Sequence, residues 1–410
     1  MKTDHTCMRL GALLSAPALG YHPAAWRHPD VRPEHSLSFD HYRDLAHAAE
    51  RGRFDMVLLT EAVGEPAHDG KTDELRRQSH MAYLEPLTLL SALAVHTRHI
   101  GLAATVTTTC HEPFPVARTL ASLDFISGGR CGWHITVPVT DAEARNFGME
   151  QRPGEAMGYH RAHEFLAVTT RLWDGWEDDA FVYDQAAGRY FDPDKLHVPD
   201  HRGEHFQVRG PLNIARPPQG RPVLVHSAGT SSDGDDLAAG WADVVLTGRR
   251  TLKQAQGAYR ALRELITGCG RNPDEVRIMS TVSLVTGRTQ SEAEDAYGAL
   301  ENLLDPDIRR ETPAGGRGPL FLIGTPRSIA DELEEWFTQG AADGFMFMPS
   351  HLPHGLTDIV DLVVPELQRR GLVRTRYEGP TLRDHLGLPR PEPARPSGPR
   401  SALERISKGS

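Results

Sequence analysis

A (β/α)8 barrel, the TIM-barrel architecture, is the fold class that two features of the sequence predict. Eight short apolar runs recur along the chain, and between them the apolar residues switch to helical spacing. An open doubly wound sheet is the runner-up. The GxGxxG fingerprint that its first strand-to-helix turn would carry is absent.

The predicted strands are Met8–Leu14, Phe54–Leu59, Ile100–Val106, Gly132–Val137, Pro222–His226, Asp243–Thr247, Val276–Leu284 and Gly344–Met348. Four helical stripes are clear. Val116, Leu120 and Leu123 recur at i, i+4 and i+7 and stop at Ser127-Gly128-Gly129. Phe165, Leu166, Thr169, Leu172 and Trp173 form a second stripe. Ile329, Leu333, Trp336 and Phe337 form a third, closed by Gly340, and Ile359, Leu362, Val363 and Leu367 a fourth. Two stretches break the alternation. Residues 174–220 are long, rich in proline and aromatics, and lack a strong helix; residues 305–319 are the second. Both are read as insertions at the carboxyl-terminal face of the barrel, where such loops shape a pocket. One domain is expected over residues 1–388, followed by a tail, 389–410, too proline-rich to join the core and expected to be disordered or to wrap a neighbour.

Composition fits one large α/β domain. The 410 residues are 39% hydrophobic and 24% charged, enough apolar surface for a packed core. A net charge of −10 argues against nucleic acid as a partner. No run of 18 apolar residues occurs, so no membrane span is expected. The amino-terminal stretch has no basic start followed by a sustained apolar segment, so no signal peptide is read. Four scattered cysteines form no CxxC pair and suit a reducing cytoplasm. There are 21 histidines, yet no HExxH occurs, and His351 and His354 flank a proline in a loop; no metal site is expected.

The segment HSAGTSSDGDDLAAGWADVV, residues 226–245, sets a polar, glycine-broken turn between two apolar runs. In a barrel the carboxyl ends of the strands face the active site, and this turn follows the fifth strand. Gly229 lets backbone approach an anion, and the N–H groups of a helix start, with the hydroxyls of Thr230 and Ser231, can surround a phosphate. Taken alone, the turn reads first as a simple N-cap. Asp233, Asp235 and Asp236 oppose an anion unless they point outward. The common barrel phosphate site follows the last two strands instead.

Several stretches resemble one family in order: HPAAWRHP (22–29), ERGRFDMVLLTEA (50–62), the long stretch from Glu85 to Trp133, EARNFG (143–148), FLAVTTRLWDGWEDDA (165–180), the turn above, GTPRSIADELEEW (324–336) and VVPELQRRG (363–371). Together they span about residues 8–388. The chain resembles the luciferase-like flavin monooxygenase superfamily, in the branch of nitrilotriacetate monooxygenase, dibenzothiophene-sulfone monooxygenase and pristinamycin IIA synthase. The resemblance implies reduced FMN supplied by a separate flavin reductase, O2 as co-substrate, and a homodimer or homotetramer. It implies that Ser231, with Thr230 and Gly229, binds the FMN phosphate, that Thr105 lies near the flavin ring, and that Tyr159 belongs to the flavin site.

Three departures from that pattern stand out. Glu61 stands where the family has aspartate. His134, Val137 and Pro138 replace an asparagine and a Thr-Ser pair. Glu155 replaces a histidine four residues before the tyrosine. A carboxylate at 155 would repel a phosphate 4 Å away by about 1 kcal/mol in water and by more when shielded.

Glu61 and His134 are the candidate catalytic residues, as acid/base groups, with Glu61 and Glu155 also counted in the cofactor site; each has an ordinary structural reading beside it. His22, Trp26 and Arg27, after the first strand, are candidates for substrate binding, Arg27 for an anion and Trp26 as a wall. Asp124 and Arg130 precede the fourth strand and are read as structural. The expected function is oxygenation of a small organic molecule by a two-component, FMN-dependent monooxygenase. A deazaflavin-dependent oxidoreductase on the same fold and a non-catalytic flavin- or metabolite-binding barrel are the alternatives.

Overall fold

The computed structural model describes residues 7–15, 18–64, 82–137, 139–304 and 319–393. Eight parallel strands close a barrel: β1 (Arg9–Ser15), β2 (Met56–Thr60), β3 (Gly101–Thr107), β4 (Cys131–Thr136), β5 (Val223–Ala228), β6 (Val244–Thr247), β7 (Arg277–Thr286) and β8 (Gly344–Pro349). Each pairs with its successor, and β8 returns to β1 with Gly344 opposite Arg9. All eight coincide with a predicted run. A ninth strand, Leu320–Gly324, was not anticipated. It pairs with the outer half of β7, Leu320 opposite Val282, and stays outside the closed barrel. Its apolar run abuts the segment 305–319, which the sequence reading assigned to a loop. Residues 305–318 of that segment, residues 394–410 of the tail, and Pro138 lie outside the described residues.

The strands are buried on both faces, as a parallel barrel requires. Leu13, Met56, Leu58, Ala103, Val225 and Met346 point inward and fill the lumen. The outward set packs under the helices, with Trp133, Phe165, Trp173 and Trp336 among the largest fully buried side chains. Among the described residues no helix is long and apolar enough to cross a membrane.

The amino-terminal end of the lumen is floored by the carboxyl-terminal segment. Leu382 and Leu386, on the helix Leu382–Leu386, and Leu388 join the inward cluster. Charged groups at the strand starts fasten this floor. Arg277 donates to the carbonyl of Leu386 (2.7 Å), Arg383 pairs with Asp243 (2.8 Å), and Arg374 pairs with Asp55 (2.5 Å). At the same end Arg130 donates to the carbonyls of Ala94, Thr97, Ile100 and Ser127, and Asp124 accepts from the Cys131 N–H and the Gln219 amide. Both therefore do the structural work expected of them.

The insertion 174–220 is not rooted at the carboxyl-terminal face where the sequence reading placed it. Its root lies at the opposite end, because Asp174 is held there by Arg216 (3.4 Å) and by Arg221, and Gln219 by Asp124. From that root it climbs the outside of the helix Glu155–Trp173. A short hairpin, His201–Arg202 with Gln207–Val208, docks on the carboxylate of Glu164. The start of the proline-rich tail is also held, since Arg390 pairs with Asp178 (2.5 Å) and the Pro391 carbonyl accepts from Arg216 (2.6 Å).

Leu386 is fully buried in the lumen floor. Leu386→Ala is expected to lower stability by about 2–5 kcal/mol in denaturant unfolding. A loss below about 0.5 kcal/mol, the scatter of surface substitutions, would mean that this helix does not complete the core.

Candidate functional site

The period of two along a strand decides what faces the barrel mouth. On β4, Trp133 and Ile135 belong to the outer core, so His134 turns into the lumen. Register places Thr105 of β3 on one side of it and β5 on the other. The Thr105 hydroxyl lies 2.9 Å from His134 Nδ1, and the Ser227 hydroxyl 3.3 Å from Nε2. Thr105 and His134 are buried, while Ser227 is open to the mouth. Above an apolar lumen, these three form a polar layer.

Burial, with the neighbouring His226 second, pushes the His134 imidazole down to about 3, so it stays neutral near pH 7. A neutral ring offers one N–H and one lone pair. One flanking hydroxyl must then donate to it and the other accept from it. Among the described contacts both ring nitrogens are engaged, and the ring fixes the direction of both hydroxyls.

Beyond β5 lies the turn singled out in the sequence. Gly229 has φ +87°, and a Cβ there would collide with the guanidinium of Arg249, 2.7 Å from one terminal nitrogen. Ser231 is the N-cap of the helix Ser232–Trp241 and accepts the Gly234 N–H at 3.2 Å. Tyr159, buried on the helix Glu155–Trp173, hydrogen-bonds the hydroxyls of Ser231 and Thr230. Burial raises the Tyr159 phenol, the bond from Ser231 partly offsets this, and Glu155 raises it further. Glu155 itself is exposed in the first turn of its helix.

Arg249 follows β6 directly and donates to the carbonyl of Gly248 at 2.9 Å. Among the described residues no carboxylate lies within ion-pairing distance of it. The acidic groups are arranged as follows. Asp235 accepts the Gly229 N–H, which takes one donor from the turn. Asp236 is exposed, its carboxyl raised by partial burial and by Asp233 and Asp235. The turn thus combines two hydroxyls, a phenol, the amide ends of a helix and one unpaired cation, with carboxylates at its border.

Glu61 is partly buried in the loop after β2. Burial, and then the charges of Glu85 and Glu143, raise its carboxyl to about 7. Glu143 is turned away to accept the N–H groups of Val63 (3.0 Å) and Thr140 (2.7 Å). The first-strand candidates are engaged elsewhere. His22 Nε2 lies 3.2 Å from Glu301, and Arg27 donates to the Leu303 carbonyl. Together they clasp the β1 loop onto the helix Gln290–Asn302; Trp26 is half-buried.

The structure therefore unites Thr105 with His134, and Tyr159 with Thr230 and Ser231. It gives Glu61 and the His22–Arg27 segment separate positions. Sequence reasoning missed Ser227 and Arg249. Ser227 was legible from parity, since it shares a face of β5 with Val223 and Val225. Arg249 carried a weaker signal: a cation two residues past a strand's carboxyl end.

Comparison with known proteins gives a consistent picture. The family model described as luciferase-like monooxygenase matches residues 19–343. Nitrilotriacetate monooxygenase component A of Aminobacter aminovorans is 38% identical, covering 94% of this chain and 97% of that protein. N-acetyl-S-(2-succino)cysteine monooxygenase of Bacillus subtilis (strain 168) is 36% identical over 94% and 97%. The crystal structure of long-chain alkane monooxygenase superposes with a TM-score of 0.87 at 27% identity, over 94% of this chain and 96% of that one. The chain belongs to the luciferase-like monooxygenase family, and is a flavin-dependent oxidoreductase of that family on a TIM barrel.

Proposed function

We propose that this chain is the oxygenase component of a two-component system, taking reduced FMN from a separate flavin reductase and using O2 to oxygenate a small organic molecule. The observation that carries this reading is the turn at Gly229–Ser231, where a guanidinium with no carboxylate partner among the described residues stands over a glycine beside three hydroxyls. A dianionic phosphate suits that donor set, because charge-assisted hydrogen bonds are roughly twice as strong as neutral ones. The carboxylate of Asp235 on the Gly229 N–H and the exposed Glu155 oppose it. The compensating cation is Arg249.

When bound, reduced FMN supplies the electrons that activate O2. This chain's residues do the rest. Ser231, Thr230, Tyr159 and Arg249 hold the phosphorylated end. Thr105 and Ser227, oriented by neutral His134, offer hydroxyls of fixed direction to whatever lies above the lumen. Both ring nitrogens of His134 are committed and its imidazolium is strongly disfavoured, so His134 acts here as a positioning residue rather than as a general acid. Glu61 at about 7 is suited to hold or release a proton at its carboxyl near neutral pH.

The test combines the purified chain, a flavin reductase, NADH, FMN and a panel of acceptors. The panel should include nitrilotriacetate and N-acetyl-S-(2-succino)cysteine, the compounds named for its relatives. An acceptor that yields an oxygenated product only when chain, reductase and FMN are all present supports the reading. Anaerobic titration with no saturable binding of reduced FMN would overturn it.

Arg249→Gln should weaken reduced FMN by about tenfold, equivalent to about 1.4 kcal/mol. Reduced riboflavin, which lacks the phosphate, should bind both proteins alike; unchanged FMN affinity would remove Arg249 from the site.

Glu61 makes a separate prediction. Its carboxyl titrates at about 7 in the folded chain and at about 4.3 when unfolded. Between those values the folded state keeps a proton that the unfolded state has lost, so this group's contribution to stability falls as pH rises. Glu61→Gln removes that slope. Its melting temperature should gain on that of the parent from pH 5 to pH 7 and then level off. A constant difference across that range would contradict the assignment.

A further inference from the structure

Outside the mouth, one side-chain cluster serves neither the core nor the phosphate turn. His160, one residue past Tyr159, sets its Nδ1 2.8 Å from Nε2 of His205 on the insertion hairpin. The carboxylate of Glu204 lies 4.0 Å from the same Nδ1. The three ligand atoms all fall within 4.8 Å of one another; His160 and Glu204 are exposed and His205 is half-buried.

We propose that His160, Glu204 and His205 form a binding site for a divalent transition-metal ion of the zinc class, which staples the insertion hairpin to the helix carrying Tyr159. Two imidazole nitrogens and a carboxylate oxygen are a common donor set for zinc, with the remaining positions filled by water. Around a tetrahedral ion with bonds of about 2.05 Å, neighbouring donors stand about 3.3 Å apart. The two nitrogens need to part by about half an ångström, and the carboxylate to approach by somewhat more. Rotation about side-chain bonds supplies both movements, since His160 and Glu204 are exposed.

The backbone beneath the cluster is already fixed, which limits the ordering cost of binding. The Glu164 carboxylate is almost fully buried and accepts from His201 Nε2 (2.8 Å) and from the N–H groups of His205 (2.9 Å) and Phe206 (2.9 Å). Gly203 makes the close approach possible. A Cβ there would stand 2.5 Å from the Glu164 carboxyl carbon. Glu164 is thus the anchor of the hairpin, and His205 is delivered to His160 by a connection made before any ion binds. His163, one turn further along the helix, is not a ligand, because its Nδ1 accepts the Trp241 indole N–H at 3.0 Å.

The ligands are 44 and 45 residues apart in sequence (160 to 204 and to 205). No local spacing motif marks them, and the sequence reading expected no metal for that reason.

Tag-free, chelator-treated protein titrated with Zn2+ in a calorimeter provides the test, with thermal melts alongside. One saturable site and a melting temperature that rises with Zn2+ are expected. The double variant H160A/H205A should lose that site and the zinc-dependent rise while melting near the parent without metal. Glu204→Gln should weaken the site by about tenfold or more, whereas His47→Ala, at a histidine remote in the fold, should leave it intact. Co2+ in place of Zn2+ should give visible absorption bands that vanish in the double variant. The absence of a saturable site in the parent, or a site that survives in H160A/H205A, would overturn the proposal. Should the double variant fail to fold, an unchanged Zn2+ affinity in Glu204→Gln would overturn it.

Discussion

The hydrogen bonds that flank His134 set the chemistry of the barrel mouth. A parallel barrel fills its lumen with apolar side chains, so a polar residue pointing inward is costly unless it is fully partnered. His134 meets that requirement with Thr105 on β3 and Ser227 on β5. The cost of charging the ring in this position exceeds that of leaving it neutral, and the group becomes an orienting element. The layer marks the height at which the packed lumen ends and the open site begins.

The turn at Gly229–Ser231 shows a balance of opposed terms. A helix start, two hydroxyls and a phenol favour an anion, whereas three aspartates along the turn and helix and Glu155 do not. Geometry decides how these terms combine. Asp235 bends back onto the Gly229 N–H, Asp236 faces solvent, and Arg249 reaches over Gly229 with no carboxylate partner among the described residues. A charge count over residues 226–245 alone is acidic; the cation that offsets part of it follows the end of β6.

How much was legible beforehand followed from the range of the interactions. Strands and helices report themselves through local periodicity, and all eight barrel strands were read from it. The turn's position at a carboxyl end followed from the fold, and the parity that turns His134 inward was available in the alternation of β4. What escaped depends on contacts between distant segments. Arg249 meets Gly229 through strand pairing, and His160 meets His205 only because the insertion climbs a helix. The insertion's root was misjudged because Asp174 looked like any acidic loop residue. Its two arginine partners, Arg216 and Arg221, lie more than forty positions away, one at the far end of the insertion and one just past it. The clasp of His22 and Arg27 onto residues 301 and 303 was hidden in the same way.

In the proposed function, the Gly229–Ser231 turn, with Tyr159 and Arg249, grips the phosphorylated end of the flavin. A crystal structure of the chain soaked with FMN tests this most directly. Phosphate density is expected within hydrogen-bonding distance of the Ser231 hydroxyl and the Arg249 guanidinium, with the isoalloxazine ring over the Thr105–His134–Ser227 layer. Phosphate density at another strand end, with this turn unchanged, would contradict it.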